Sequence, residues 1–259
     1  MTSISFATSK EKVISFIWQH ILLLFSLYTM TLGVVLCIKS ELGSSVISSM
    51  PLSFSLAGHE GIVPPLSVGG YTIAMNFVLV MCQIAILRRN FDPMQLFQLV
   101  IGFAFGWLID LNMALTHALV CNSMLSKIIV QAAGCTVMGI GIAFEVKCGS
   151  ATMPGEGLPV AISRKTGQPF AKVKIMVDTT LVALAVASCY LFFGSWQWNI
   201  IGPGTLFAMV YVGLIVKLVS AHSAWFDRLL NYRPGFRRYI FGLARYIYRP
   251  SKKNPNTTL

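Results

Sequence analysis

The sequence predicts an all-α membrane protein of six transmembrane helices, arranged as two inverted three-helix repeats with short re-entrant or broken helices. Three observations predict it. The 259-residue chain is 55% hydrophobic and only 11% charged, where a soluble domain carries about 25% charged residues. Six apolar segments are long enough to cross a hydrocarbon core of about 30 Å. A stretch that interrupts the apolar pattern occurs twice, after the first segment and after the fourth.

Residues 1–16 form a basic N-terminal segment with Lys10 and Lys12. Apolar sequence then runs over 17–38. That is too long for a signal-peptide core, and no small-x-small cleavage site follows, so it is expected to stay as the first span. The first break is Gly43-Ser44-Ser45, followed by Met50-Pro51-Leu52-Ser53-Phe54-Ser55. The second span covers 68–87. The third covers 95–115 and starts after Asp92-Pro93, a helix-start pair. The fourth covers 127–146 and leads into the second break, Gly149-Ser150-Ala151, followed by Leu158-Pro159-Val160-Ala161-Ile162-Ser163. The fifth covers 173–193. The sixth covers 200–220 and opens near Gly202-Pro203-Gly204-Thr205. Residues 17–115 are thus a first three-span repeat and 127–220 a second.

The tail, 221–259, differs in character. Phe236, Ile240, Leu243 and Ile247 recur at helical spacing with Arg237, Arg238 and Arg245 between them. That pattern predicts a basic amphipathic helix lying on the inner leaflet and attracted to anionic lipid. A protein-docking arm is the alternative.

Charge orients the repeats. With the N-terminus inside, the cytoplasmic segments hold Lys10, Lys12, Arg88, Arg89, Lys147, Arg164, Lys165, Lys172, Lys174 and every basic residue from Lys217 onward. Only Lys39 and Lys127, of 20 Lys and Arg, fall on the other side. This positive-inside bias predicts both termini in the cytoplasm. It also accounts for the net charge of +11 without any nucleic acid. Three spans per unit turn the first break outward and the second inward.

The repeat extends beyond the breaks. Asn76 in the second span aligns with Asp178 in the fifth, Gly33 with Gly141, and Gly106 with Gly213. In hydrocarbon, irregular backbone is tolerated only where it is buried in protein or lines a wet cavity. Gly43 and Gly149 are expected to end helices in the left-handed conformation. Ser44, Ser45 and Ser150 suit the cap of a following half-helix, about 46–57 in the first repeat. Its positive end would face a central cavity. Lateral helices covering the bundle ends are the alternative.

Leu42-Gly43-Ser44 with Pro51, Ser163-Arg164-Lys165-Thr166-Gly167, and Gly202-Pro203-Gly204-Thr205 form an ordered set of landmarks. In that order the chain resembles the YczE/YitT-type bacterial integral membrane proteins over roughly residues 20–220. The resemblance implies a six-span protein of the bacterial cytoplasmic membrane and carries no catalytic residues. The family's proline shortly after the first Gly-Ser/Thr is Val46 here.

Acidic groups number only nine. Asp178, inside the fifth span, is the first choice for a coupling or solute-binding acid, since a lone carboxylate in a membrane calls for a partner, a proton or an ion. The competing reading pairs it with Lys174, one turn away, at the interface. Glu156 could cap the second half-helix or accept a cation. Asn76 and Gln83 share a helix face and either line a polar cavity or hydrogen-bond between helices. The expected solute-binding set is therefore Gly43, Ser44, Ser45, Asn76, Gly149, Ser150, Glu156 and Asp178. No hydrolase, zincin or nucleotide-loop motif occurs, and no catalytic residue, metal or cofactor is expected. The six scattered cysteines read as packing residues. The functional expectation is a secondary transporter of a small polar or anionic solute working by alternating access, with a proton or cation as coupling partner. A non-transporting accessory, sensor or scaffold acting through its basic tail is the alternative.

Overall fold

A computed structural model describes residues 9–149, 153–230 and 239. The described residues form nine α-helices: α1 (Ser9–Lys39), α2 (Val46–His59), α3 (Val68–Leu87), α4 (Phe97–Leu115), α5 (Met124–Cys148), α6 (Pro154–Thr166), α7 (Phe170–Phe193), α8 (Pro203–His222) and α9 (Ala224–Leu230). There is no strand among the described residues. Six helices, α1, α3, α4, α5, α7 and α8, are long and apolar enough to cross a membrane, and α2 and α6 are too short to do so. The chain is a multi-pass membrane protein.

Local sequence sets the helix ends. Asp92 accepts a hydrogen bond from the Met94 N–H at 3.0 Å, starting the short turn that leads into α4. Ser123 and Ser126 form a reciprocal cap on α5. Gly149, Gly167 and Gly194 close α5, α6 and α7 in the left-handed conformation. Asp110 makes a contact that the sequence does not announce. It accepts from Ser67 Oγ at 2.6 Å and from the Gly69 N–H at 2.8 Å, so an acid late in α4 caps the start of α3. Asp110→Ala is expected to lower stability by about 1 kcal/mol, read as a lower thermal midpoint in detergent.

The core is the crossing of α1 and α5. Along α1, Met30, Gly33 and Cys37 meet Gly141, Met138 and Gly134, in reverse order along α5. The helices are therefore antiparallel. A Cβ on Gly33 would run into the Met138 backbone, and a Cβ on Gly141 would run into the Met30 backbone. Lipid tails are as apolar as leucine, so spanning helices associate through close packing, and small residues permit it. Cys37 and Cys135 lie with sulfurs 3.7 Å apart in the same seam. Five of the six cysteines are buried, as packing residues would be.

The remaining helices arrange themselves around this pair. α4 packs on α1, and α8 packs on α5. α2 packs on α3 and α7, and α6 packs on α7 and α3. α3 and α4 pack closely, through Gly69 and Gly106, whereas α7 and α8 make no comparable contact among the described residues. α9 folds back onto the bundle. Phe226 stacks on Phe144 with ring centroids 4.4 Å apart, and Lys147 bonds Asp227 at 2.7 Å. The amphipathic pattern expected beyond residue 230 lies outside the described residues, Tyr239 excepted.

Candidate functional site

The two breaks are built differently. The first is stitched shut. The Ser44 N–H donates to the Ile200 carbonyl at 2.9 Å, and the Gly204 N–H donates to the Leu42 carbonyl at 2.8 Å. Ser44 Oγ adds a bond to Ile200 O at 3.1 Å. Gln131 accepts from Ser40 Oγ at 2.6 Å and donates to Gly204 O at 2.9 Å. Gly43 is pressed onto Gly202 and Thr205. Above this seam Glu41 and Lys127 form an ion pair at 2.6 Å.

Several expectations are corrected here. α1 ends at Lys39, and the left-handed residue that follows is Glu41 (φ 58°); Gly43 has φ 117° and lies in the linker. Gly43 is needed there for that positive φ and for its close approach to α8. Ser45 occupies the cap position of α2, but its hydroxyl bonds Ser48 Oγ at 2.7 Å and caps nothing. The start of α2 does not face an open polar cavity. Val46 and Ile47 pack against Val173, Val177 and Leu181 of α7, and the Ile47 side chain lies against Gly155 in the first turn of α6. The N-termini of the two short helices meet, with an isoleucine between them.

The second break carries the uncommitted polar groups. Pro154 opens α6, and its carbonyl accepts from Gln83 Nε2 at 3.3 Å. Gln83 Oε1 in turn accepts from Gln98 Nε2 at 3.2 Å. Gly157 lets both glutamines approach, because a Cβ there would collide with the Gln98 oxygen and the Gln83 amide. Gln19 bonds the carbonyl of Cys148 at 2.8 Å and pairs with the backbone of Tyr239, donating to its carbonyl and accepting from its N–H, each at 2.9 Å. Among the described residues, five buried side-chain atoms lack a hydrogen-bond partner: both amide atoms of Gln95, Oε1 of Gln98, Oδ1 of Asn112 and Oε1 of Glu145. Four of them belong to residues at the start of α4 or the end of α5, on the side of the second break. Buried polar groups are nearly always paired, so a concentration of unpaired ones at one end is a signature of a site.

Among the expected residues, Gly149 and Glu156 belong to this end, and Ser150 lies outside the described residues. Gly149 ends α5 in the left-handed conformation as expected (φ 58°). Glu156 sits half-buried in the first turn of α6, near Glu145, Lys174 and Asp178. Burial pushes its carboxyl above the usual carboxylate range, with Lys174 opposing. Asp178 bonds Lys174 at 2.8 Å, which is the interface pairing. Asn76 donates to the Gly102 carbonyl at 3.3 Å, joining α3 to α4. Ser44 and Ser45 stay at the first break. The structure therefore does not bring the expected set around one cavity. Gln19, Gln83, Gln95, Gln98 and Glu145 are the residues that sequence reading left out or treated as packing.

One cavity is a separate feature. It is an apolar cleft of about 580 Å³ between α2, α3, α6 and α7, lined by Met50 and Leu158, Met75 and Val177, and Leu79 and Leu181 among others. Its walls suit acyl chains and not a polar solute. Among the described residues no group of three or more His, Cys, Asp or Glu is gathered as a metal centre.

A protein of Bacillus subtilis (strain 168), "Uncharacterized protein YyaS", is 29% identical over 191 residues, which is 73% of this chain and 86% of that protein. No solved structure matches. Neither this relative nor the matching family carries the YczE/YitT name. The model of a family of unknown function, DUF6198, matches residues 17–221, and the chain belongs to that family.

Proposed function

We propose that the protein is a secondary transporter of a small polar solute, built as two inverted repeats and working by alternating access across the bacterial cytoplasmic membrane. The observation that carries this reading is the α1–α5 crossing. Gly33 meets Met138, and Gly141 meets Met30; the offset that separates Gly33 from Gly141 also separates Met30 from Met138. One contact is thus the image of the other under a two-fold exchange of antiparallel helices. The same offset relates Pro51 to Pro159 and Ile47 to Gly155, which touch. Inverted repeats with short helices meeting at their interface are the architecture in which one half rocks against the other.

The solute site is placed at the second break, where amides and acids are unpaired, and the first break is the closed gate. With the N-terminus inside, the charge distribution turns the open-chemistry end to the cytoplasm. The accessory or scaffold reading would rest on the tail, and no described contact favours it over transport.

Reconstitution into liposomes tests the reading. A mixed pool of small polar metabolites, assayed by mass spectrometry of the vesicle contents, is expected to yield at least one accumulated solute. Gly157→Leu is expected to abolish that uptake, because the added side chain fills the contact with Gln83 and Gln98. Uptake of no pool member, or full uptake by Gly157→Leu, contradicts the proposal.

A further inference from the structure

Glu145 is the ionisable side chain that the described bundle accommodates least. It is 2% exposed, and Oε1 has no hydrogen-bond partner. It sits in the last turn of α5, where the Gly149 N–H bonds its backbone carbonyl at 3.1 Å before the chain enters the second break. Across the break, the group that interacts with it electrostatically is another acid, Glu156. The basic residue nearest in sequence, Lys147, is held by Asp227 and by the Ser223 carbonyl. Beside Glu156, at the first turn of α6, Gln98 points an unpaired Oε1 at Gly157 while only 1% exposed.

We propose that Glu145, with Glu156 and the Gln98 amide oxygen, forms a binding site for a compact monovalent cation that couples to solute movement. The coupling half of this statement rests on the transport reading, and the binding half does not. The unpaired atoms decide the sign of the ligand. At this end they are oxygens of Glu145, Gln98 and Gln95, against a single unpaired amide nitrogen, that of Gln95. An anion would meet two acids and one donor group. A hard monovalent cation, or a proton with its donor, meets the oxygens such ions favour. The positive end of α6 offers an anion little, because Glu156 already occupies its first turn. Asp178 is displaced from this role because Lys174 neutralises it at 2.8 Å.

The surroundings of Glu145 are otherwise uncharged or already paired. α1 brings Gln19 and Ser26 to the end of α5, and it carries His20, whose ring faces Phe97 and Phe16. α8 carries His222, whose ring bonds its own helix at Leu218 O. α9 brings Asp227, held by Lys147. α6 brings Glu156, with Lys174 and Asp178 of α7 behind it.

The test is the thermal midpoint of the purified full-length protein in nanodiscs. Sodium, potassium or ammonium chloride is titrated at constant ionic strength against choline chloride, and a separate series varies pH between about 5 and 9. Wild type and Asp178→Asn are expected to be stabilised by at least one of the three salts, or to shift with pH alone if the ion is a proton. Glu145→Gln is expected to weaken that response about tenfold or more, and Glu145→Asp to retain part of it. Should Glu145→Gln fail to fold, Glu156→Gln carries the same expectation. A wild type that responds to no cation and to no pH change overturns the site, as does a Glu145→Gln response equal to wild type. The two readings separate in liposomes. Solute uptake indifferent to every cation and proton gradient overturns the coupling and leaves transport standing. A cation response without uptake of any solute overturns transport and leaves the site standing.

Discussion

Gly33→Ala and Gly141→Ala are each expected to destabilise the protein by about 3 kcal/mol or more, and the leucine variants to prevent folding. At both positions the added carbon would lie inside the van der Waals shell of the partner helix backbone, at Met138 and Met30 respectively. Backbone cannot swing aside as a flexible side chain can, so the helices must separate along the whole seam. α1 is the most enclosed spanning helix, and separation there loosens every element packed on it. The expectation has a symmetrical component. If the two contacts are images of one another, the two alanine variants should cost similar amounts. Gly213→Ala is the control. Nothing lies within 4 Å of a Cβ added there, so that change is expected to be neutral or to stabilise by up to about 1 kcal/mol. Unfolding followed by circular dichroism in a mild detergent reads all three. A Gly33→Ala cost no larger than that of Gly213→Ala would remove the crossing from the centre of the fold.

Gln95→Leu is expected to do the opposite, raising stability by about 1–3 kcal/mol while abolishing solute uptake. Gln95 is buried, and both its amide atoms lack partners. A buried donor or acceptor left unpaired costs its full desolvation, and a leucine of similar size removes that cost. A gain in thermal midpoint together with lost liposome uptake would identify Gln95 as a group retained for binding at the expense of stability. A Gln95→Leu protein that is less stable than wild type would show that the amide has a structural partner.

Much of the architecture was legible because membrane insertion writes itself into sequence. The six spans, the Asp92-Pro93 and Gly202-Pro203 starts, and the first short helix near 46–57 all follow from apolar run length and from Gly, Pro and Ser punctuation. Gly33 and Gly141 stood out as equivalents, but their role did not. That required knowing that α1 and α5 are antiparallel neighbours, which no local pattern specifies. Asp110 lies near the end of an apolar span, and nothing local announces its partner, the start of α3, which is a tertiary fact.

The site was less legible for a physical reason. Gly-Ser breaks look alike in sequence whether the backbone is satisfied or not. Ser44 and Gly43 are matched by Ile200, Gly202 and Thr205, and the first break is consequently closed. Gln98 is an amide at the start of an otherwise apolar helix, a faint signal that the sequence reading does not use. Asn76 and Gln83 share a helix face, and both hydrogen-bond between helices: Asn76 to Gly102 of α4, and Gln83 to Pro154 of α6 and Gln98 of α4. Glu145 closes the fourth apolar span in the sequence, and no local pattern announces its burial. Its surroundings are tertiary: α5 continues to Cys148, α1 brings Gln19 and Ser26 to that end, and α9 folds back onto Phe144 and Lys147.

The central claim is that two inverted halves move against each other where the short helices meet. The most direct measurement is uptake by a protein carrying Ile47→Cys and Gly155→Cys, with the exposed Cys82 replaced by serine. The Ile47 side chain lies against Gly155, close enough for a disulfide between the N-termini of α2 and α6 to form with modest adjustment. The account predicts that oxidation stops solute uptake in liposomes and that reduction restores it, each single-cysteine variant remaining active under both conditions. Undiminished uptake by the fully cross-linked protein would contradict it.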